Sequence, residues 1–190
     1  MTASTLTQPG TYTVRDLERL SDQGHHYELV QGELYKVSPS GGPHGPATSR
    51  VVFHVTGHIY ANALGETFPA ETGFIIGRNP DSVLAPDFAY VAYERLPDPL
   101  PDGFVPVVPD LVLETRSPGD TKREVAEKVE RWLSAGVILV WEINPKTRVL
   151  TTHRAGRPPH ELGLADTLDG EDVLPGFTLL MADAFPPRPR

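Results

Sequence analysis

An acidic side chain inside an apolar strand is the first feature of this sequence that calls for chemistry. Glu114 follows Leu111, Val112 and Leu113 in a run that reads as an interior strand, where an unpaired carboxylate costs several kcal/mol. A cation, a hydrogen-bond network or a metal ion must offset it. Arg116 lies on the same face by strand alternation and is one candidate partner. Asp87 follows Pro86 and opens the run DFAYVAY, although a Pro-Asp opening also suits an ordinary turn. Lys128 falls in the helix after Glu114, at the edge of the stripe formed by Val125, Val129, Trp132 and Leu133. From there its stem can run along the sheet and return the amine to the strand ends, or simply lead it to solvent. Lys122 points toward the same side from the first turn of that helix, where a cation opposes the helix dipole.

The elements that must hold these residues can be read from the pattern around them. Thr13 caps a short helix, VRDLERL, with Asp16 three residues on. YELV (27–30) and ELYKV (33–37) flank Gln31-Gly32 and form a hairpin. Three prolines and three glycines between Ser38 and Pro46 make a loop, which includes His44. Val51, Val55 and Ile59 then mark one face of a helix over about 47–64. ETFPAE, GFIIGR and DFAYVAY are strand candidates, and five prolines between Leu96 and Asp110 make an extended arm. PDLVLETRS is a strand, and Thr121 with Glu124 forms a capping box for a helix ending at Gly136. VILVWEI (137–143) is a buried strand, RVLTTHR another, and a short strand lies near Phe177. This order predicts an α/β (α+β) fold with a mixed sheet, in one domain over 1–190 with a core at about 26–185 and loose ends at 1–12 and 186–190.

Composition narrows the partners. The chain has no cysteine, which excludes disulfides, thiolate metal sites and cysteine nucleophiles. No apolar run reaches a membrane-spanning length, and MTASTLTQPGTYTV lacks the form of a secretory signal, so a cytoplasmic protein is expected. The net charge of −8 disfavours tight non-specific binding of nucleic acid. Between Glu114 and Arg131, however, five basic and five acidic side chains balance, so weak or transient DNA contact is allowed. His54 and His58 are four apart on a helix, but no glutamate follows His54 and no third ligand is evident, so packing or helix surface is the expected role. Ser38 and Ser117 lack a nucleophile context, and GGPHG (41–45) lacks the lysine of a phosphate loop; a mobile loop at a site mouth is the expected role of that stretch.

Five segments in order, HHYELVQGELYKVSP, APDFAYV, PDLVLETRSPGDT, AEKVERWLSAGVILVWEINP and GEDVLPGF, resemble the PD-(D/E)XK nuclease superfamily. Within it they resemble a large bacterial family of restriction-endonuclease-like proteins, over about residues 26–185. The resemblance implies a mixed central sheet flanked by helices, with an extra N-terminal hairpin. It implies that Asp87 and Glu114 are catalytic and bind Mg²⁺ or Mn²⁺, with Glu33 as a further ligand. The superfamily's lysine, two residues after the second acid, is here Arg116; the resemblance places that lysine on the following helix as Lys128. Arg116, Lys122 and His44 become candidate phosphate or substrate contacts, and Glu28 a structural residue. Mg²⁺ suits such a set because it keeps several waters and needs few protein ligands. The lysine would orient or deprotonate a water, whereas arginine is too weak a base for that step.

The expected function is therefore metal-dependent hydrolysis of DNA phosphodiesters. A catalytically inactive relative acting in binding or assembly is the first alternative, prompted by the net charge and by Arg116. An oligomeric structural protein embracing a second copy through the arm at 97–109 is the other.

Overall fold

The structure, a computed structural model, describes residues 11–21, 26–37 and 42–185. The expected loop residues 38–41 and the expected loose ends 1–10 and 186–190 lie outside these. Helix α1 (Val14–Ser21) begins at the predicted cap: the Thr13 amide donates to Asp16 at 2.9 Å, and the Asp16 amide to Thr13 Oγ1 at 3.3 Å. Strands β1 (Tyr27–Val30) and β2 (Glu33–Lys36) form the hairpin, with positive φ at both Gln31 and Gly32 as a tight two-residue turn requires.

Helix α2 spans His44–Ala61 and starts three residues before the predicted boundary. Pro46 is no obstacle there, because the first-turn amides have no helical partner to lose. His44 thus belongs to the helix rather than to the preceding loop. The arrangement continues with β3 (Gly65–Pro69), β4 (Phe74–Gly77), β5 (Ser82–Leu84), β6 (Phe88–Ala92) and a single 3-10 turn at Tyr93–Arg95. The proline-rich arm follows. It is irregular but tied down at Val105, whose amide and carbonyl bond Gly73 and Ile75, both at 2.9 Å.

Strand β7 (Leu111–Thr115), helix α3 (Lys122–Ala135) and strand β8 (Leu139–Asn144) form a parallel crossover unit. Thr121 and Glu124 make the predicted reciprocal cap, and Gly136, at φ 105°, ends the helix in a left-handed conformation. The chain closes with β9 (Val149–His153), β10 (His160–Leu162), β11 (Thr167–Asp169), β12 (Thr178–Leu180) and the short helix α4 (Met181–Ala184).

The central sheet runs β10-β9-β8-β7-β6-β3, with β7 and β8 parallel and every other pair antiparallel. The hairpin belongs to a second sheet, β2-β1-β5-β4, and β11 pairs with β12. Alternation along β7 and β8 sorts the two faces. Leu111, Leu113, Leu139, Trp141 and Ile143 pack with Val51, Val55 and Ile59 of α2. Val112 and Val140 pack with Val129 and Trp132 of α3. Beyond Val112 and Val140 the same face carries Glu114 on β7 and, before the terminal Asn144, Glu142 on β8. No helix among the described residues is long and apolar enough to cross a membrane.

Candidate active site

The register of the central sheet sets three carboxylates in a row. Glu114 and Glu142 are direct partners on the parallel strands β7 and β8. On the other side of β7, the last paired residues of β6 and β7 are Phe88 and Leu113, so Asp87 stands one step on, opposite Glu114. All three are buried and line a cleft of about 270 Å³ between the strand ends, α3 and the β1–β2 hairpin.

Each acid has its own partners. Asp87 Oδ2 accepts from the Thr115 amide at 2.7 Å and lies 3.0 Å from His44 Nε2. Oδ1 of Asp87 has no protein partner among the described residues. Glu114 Oε1 accepts from Trp132 Nε1 at 2.9 Å, and its Oε2 lies 2.8 Å from Lys128 Nζ. Glu142 accepts from Arg116 Nε at Oε1 and faces His153 Nε2 at 3.0 Å through Oε2. The Glu114–Arg116 pair that strand alternation allowed is therefore replaced by two pairs, because two adjacent glutamates need two cations.

Lys128 fulfils the expectation that its stem would fold back over the sheet. Its ammonium sits between Glu114 and Glu28, the latter at 3.7 Å. Burial alone would lower its pKa, but Glu114, Glu28 and Asp87 together raise it well above the ordinary lysine value. The lysine is thus held as an ammonium, which suits charge stabilisation and water orientation rather than proton abstraction. Burial pushes Glu114 the other way, up to about 7, with Lys128 opposing the shift and Asp87 and Glu28 adding to it. Glu142 is held below the usual carboxylate range, since His153 and Arg116 outweigh its burial.

His44 does not face the cleft, contrary to its expected role as a substrate contact. It is buried behind Asp87, and Thr48 lies next to it, bonded in turn to Thr115 Oγ1 at 2.8 Å. Burial disfavours the imidazolium, but the hydrogen bond and charge of Asp87 prevail and raise its pKa. Its geometry fits an orienting partner for Asp87.

Two other expected contacts lie elsewhere. Glu33 shares a hairpin face with Glu28 but sits at the turn end, where it accepts from the Tyr35 hydroxyl at 3.0 Å; it does not line the cleft. Lys122 is exposed at the start of α3 and also stays outside. Their places are taken by Glu28 from the hairpin and by Arg123 and Arg131 from α3. Glu142 was legible by the same argument that singled out Glu114, because VILVWEI is as apolar as LVLET. Glu28 carried no such signal, since a four-residue strand with one glutamate is common.

The donor set fits a hard cation that takes few protein ligands. The cleft is lined by seven carboxylates and five cations, and Asp87 keeps an oxygen without a protein donor beside the buried Glu114. Among the described residues no group of three or more His, Asp or Glu side chains could hold a metal by itself. An ion here must therefore complete its shell with water or substrate oxygens, as Mg²⁺ commonly does.

Comparison with known proteins agrees with this architecture. A crystal structure titled "a putative nuclease belonging to DUF820", from Anabaena variabilis ATCC 29413, superposes with a TM-score of 0.76. It is 18% identical, over 91% of this chain and 97% of that one, and so shares the fold. No curated protein matches the chain. The Uma2 family model, described as "Putative restriction endonuclease", matches residues 14–182 and so takes in the hairpin, all three carboxylates and Lys128. The chain belongs to the Uma2 family.

Proposed function

We propose that this protein is a divalent-metal-dependent endonuclease that hydrolyses phosphodiester bonds of DNA. The observation that carries the reading is the convergence of Asp87 and Glu114 at adjacent strand ends with a buried Lys128 ammonium, in a cleft of a nuclease-like fold. Asp87 and Glu114 would hold Mg²⁺ or Mn²⁺. When bound, the metal supplies Lewis-acid activation of water and neutralises phosphate charge.

The remaining steps belong to the protein. His44 and the Thr115 amide fix one oxygen of Asp87, leaving the other directed at the cleft. Trp132 and Lys128 fix both oxygens of Glu114, which keeps its carboxylate from rotating. The Lys128 ammonium offsets charge that develops on the phosphoryl oxygens. Arg116 stands at the cleft wall as a second cation for the phosphate. Calorimetric titration of Mn²⁺ into the protein tests the metal assignment. Binding should be saturable in the wild type and lost in Asp87→Asn; a wild type that takes up no divalent ion rules the reading out.

A further inference from the structure

Glu142 completes the row of carboxylates, yet the chemistry above gives it no task. Both its oxygens are engaged, one by Arg116 Nε and the other by His153 Nε2 at 3.0 Å. One of these partners, Arg116, itself lines the cleft, so Glu142 is placed as the counter-ion of that cation. Arg116 is gripped along one edge only. Its two Nη groups bond nothing among the described residues, and the side chain lines the cleft with 26% of its surface exposed. A guanidinium held at Nε and open at Nη presents a planar fork that matches the geometry of phosphate oxygens. Held in place beforehand, it has less rotamer freedom to lose on binding.

We propose that Glu142 is a positioning residue that aims the Nη fork of Arg116 at a phosphate group of the substrate, with His153 bracing the carboxylate from the opposite side. His153 lines a separate groove between α3 and the segment after β9, so it can brace Glu142 without touching substrate in the cleft. This inference rests on the phosphodiester reading of the site.

Electrostatics and positioning predict opposite signs, which makes the test sharp. Glu142→Gln removes a negative charge beside the cleft, so long-range attraction alone would tighten binding of DNA. If Glu142 aims Arg116, the same change weakens it. The measurement is fluorescence anisotropy of a fluorescein-labelled DNA duplex at fixed salt with Ca²⁺ in place of Mg²⁺, so that the cleft carries a divalent ion whose looser coordination does not support cleavage. Urea unfolding of each variant checks that the fold is intact. We expect Glu142→Gln to raise Kd about 5- to 10-fold, the scale of one ordinary hydrogen bond, because the change misaligns the Arg116 contact without removing its charge. Arg116→Lys, which keeps the charge but not the fork, should raise it similarly. The double variant should be no weaker than Arg116→Lys alone. Unchanged or tighter binding by a folded Glu142→Gln overturns the proposal, as do additive effects in the double variant. A wild type that binds no DNA overturns this proposal and the phosphodiester reading together, whereas binding unaffected by Glu142→Gln overturns this proposal alone.

Discussion

Replacing Lys128 with methionine, which keeps the stem and removes the charge, leaves Glu114 with only the Trp132 hydrogen bond. The ammonium lies 2.8 Å from Glu114 Oε2, with the lysine 20% and the glutamate 9% exposed. At an effective dielectric constant of about 20, that separation corresponds to about 6 kcal/mol of attraction. Desolvation opposes part of it, and breaking one side of a buried pair typically costs about 3–5 kcal/mol. For a chain of this size that is a drop in Tm of about 6–20 °C. The loss should depend on pH. Glu114 is already raised to about 7 from 4.5 by burial, and without Lys128 it rises further. A carboxyl raised in the folded state binds more protons there than in the unfolded chain. Stability is therefore lost as pH climbs from about 4.5 through the folded value, by up to about 1.4 kcal/mol per unit. Urea unfolding of Lys128→Met should show a deficit about 1–2 kcal/mol larger at pH 8 than at pH 6. Adding Glu114→Gln should restore most of it, because both partners are then neutral. A deficit below about 1 kcal/mol at pH 8, or one independent of pH, would refute the claim that this pair is buried and mutually compensating.

Two further outcomes follow from the same contacts. Trp132→Phe removes the indole donor to Glu114 and should cost about 1.5–3 kcal/mol in urea unfolding, the scale of a hydrogen bond to a charged group; an unchanged midpoint would show that water replaces it. His44 is raised above 6.5 by Asp87, so its contribution to stability is complete below 6.5 and is lost as pH rises through the folded value. Comparing Tm between pH 5.5 and 9 should therefore show a steeper decline in the wild type than in His44→Gln, and parallel curves would contradict the pairing.

Much of the frame was legible because local signals were strong. The Thr121–Glu124 cap, Gly136 and the apolar runs on either side mark the crossover unit from sequence alone, and with it the place of Glu114 and Lys128. Legibility failed where the decisive fact was register between distant strands. Glu142 opposes Glu114 only because β7 and β8 pair in parallel without a shift, and that alignment reassigned Arg116 from Glu114 to Glu142. Glu28 reaches Lys128 only because β1 pairs with β5, a three-residue strand too short to leave a pattern. His44 moved from loop to helix because proline and glycine, read as loop formers, are also tolerated in a helix's first turn. Glu33 was favoured over Glu28 through a motif, whereas hairpin geometry sets it at the far end from the cleft.

Nicking of a supercoiled plasmid tests the central claim most directly. In Mg²⁺ the wild type should convert supercoiled to open-circular plasmid, with EDTA abolishing the reaction. Folded Glu114→Gln and Lys128→Met variants should each be slower by about two orders of magnitude, the usual cost of a group acting on the transition state. Undiminished nicking by either variant, or none by the wild type in Mg²⁺ or Mn²⁺, would contradict the account.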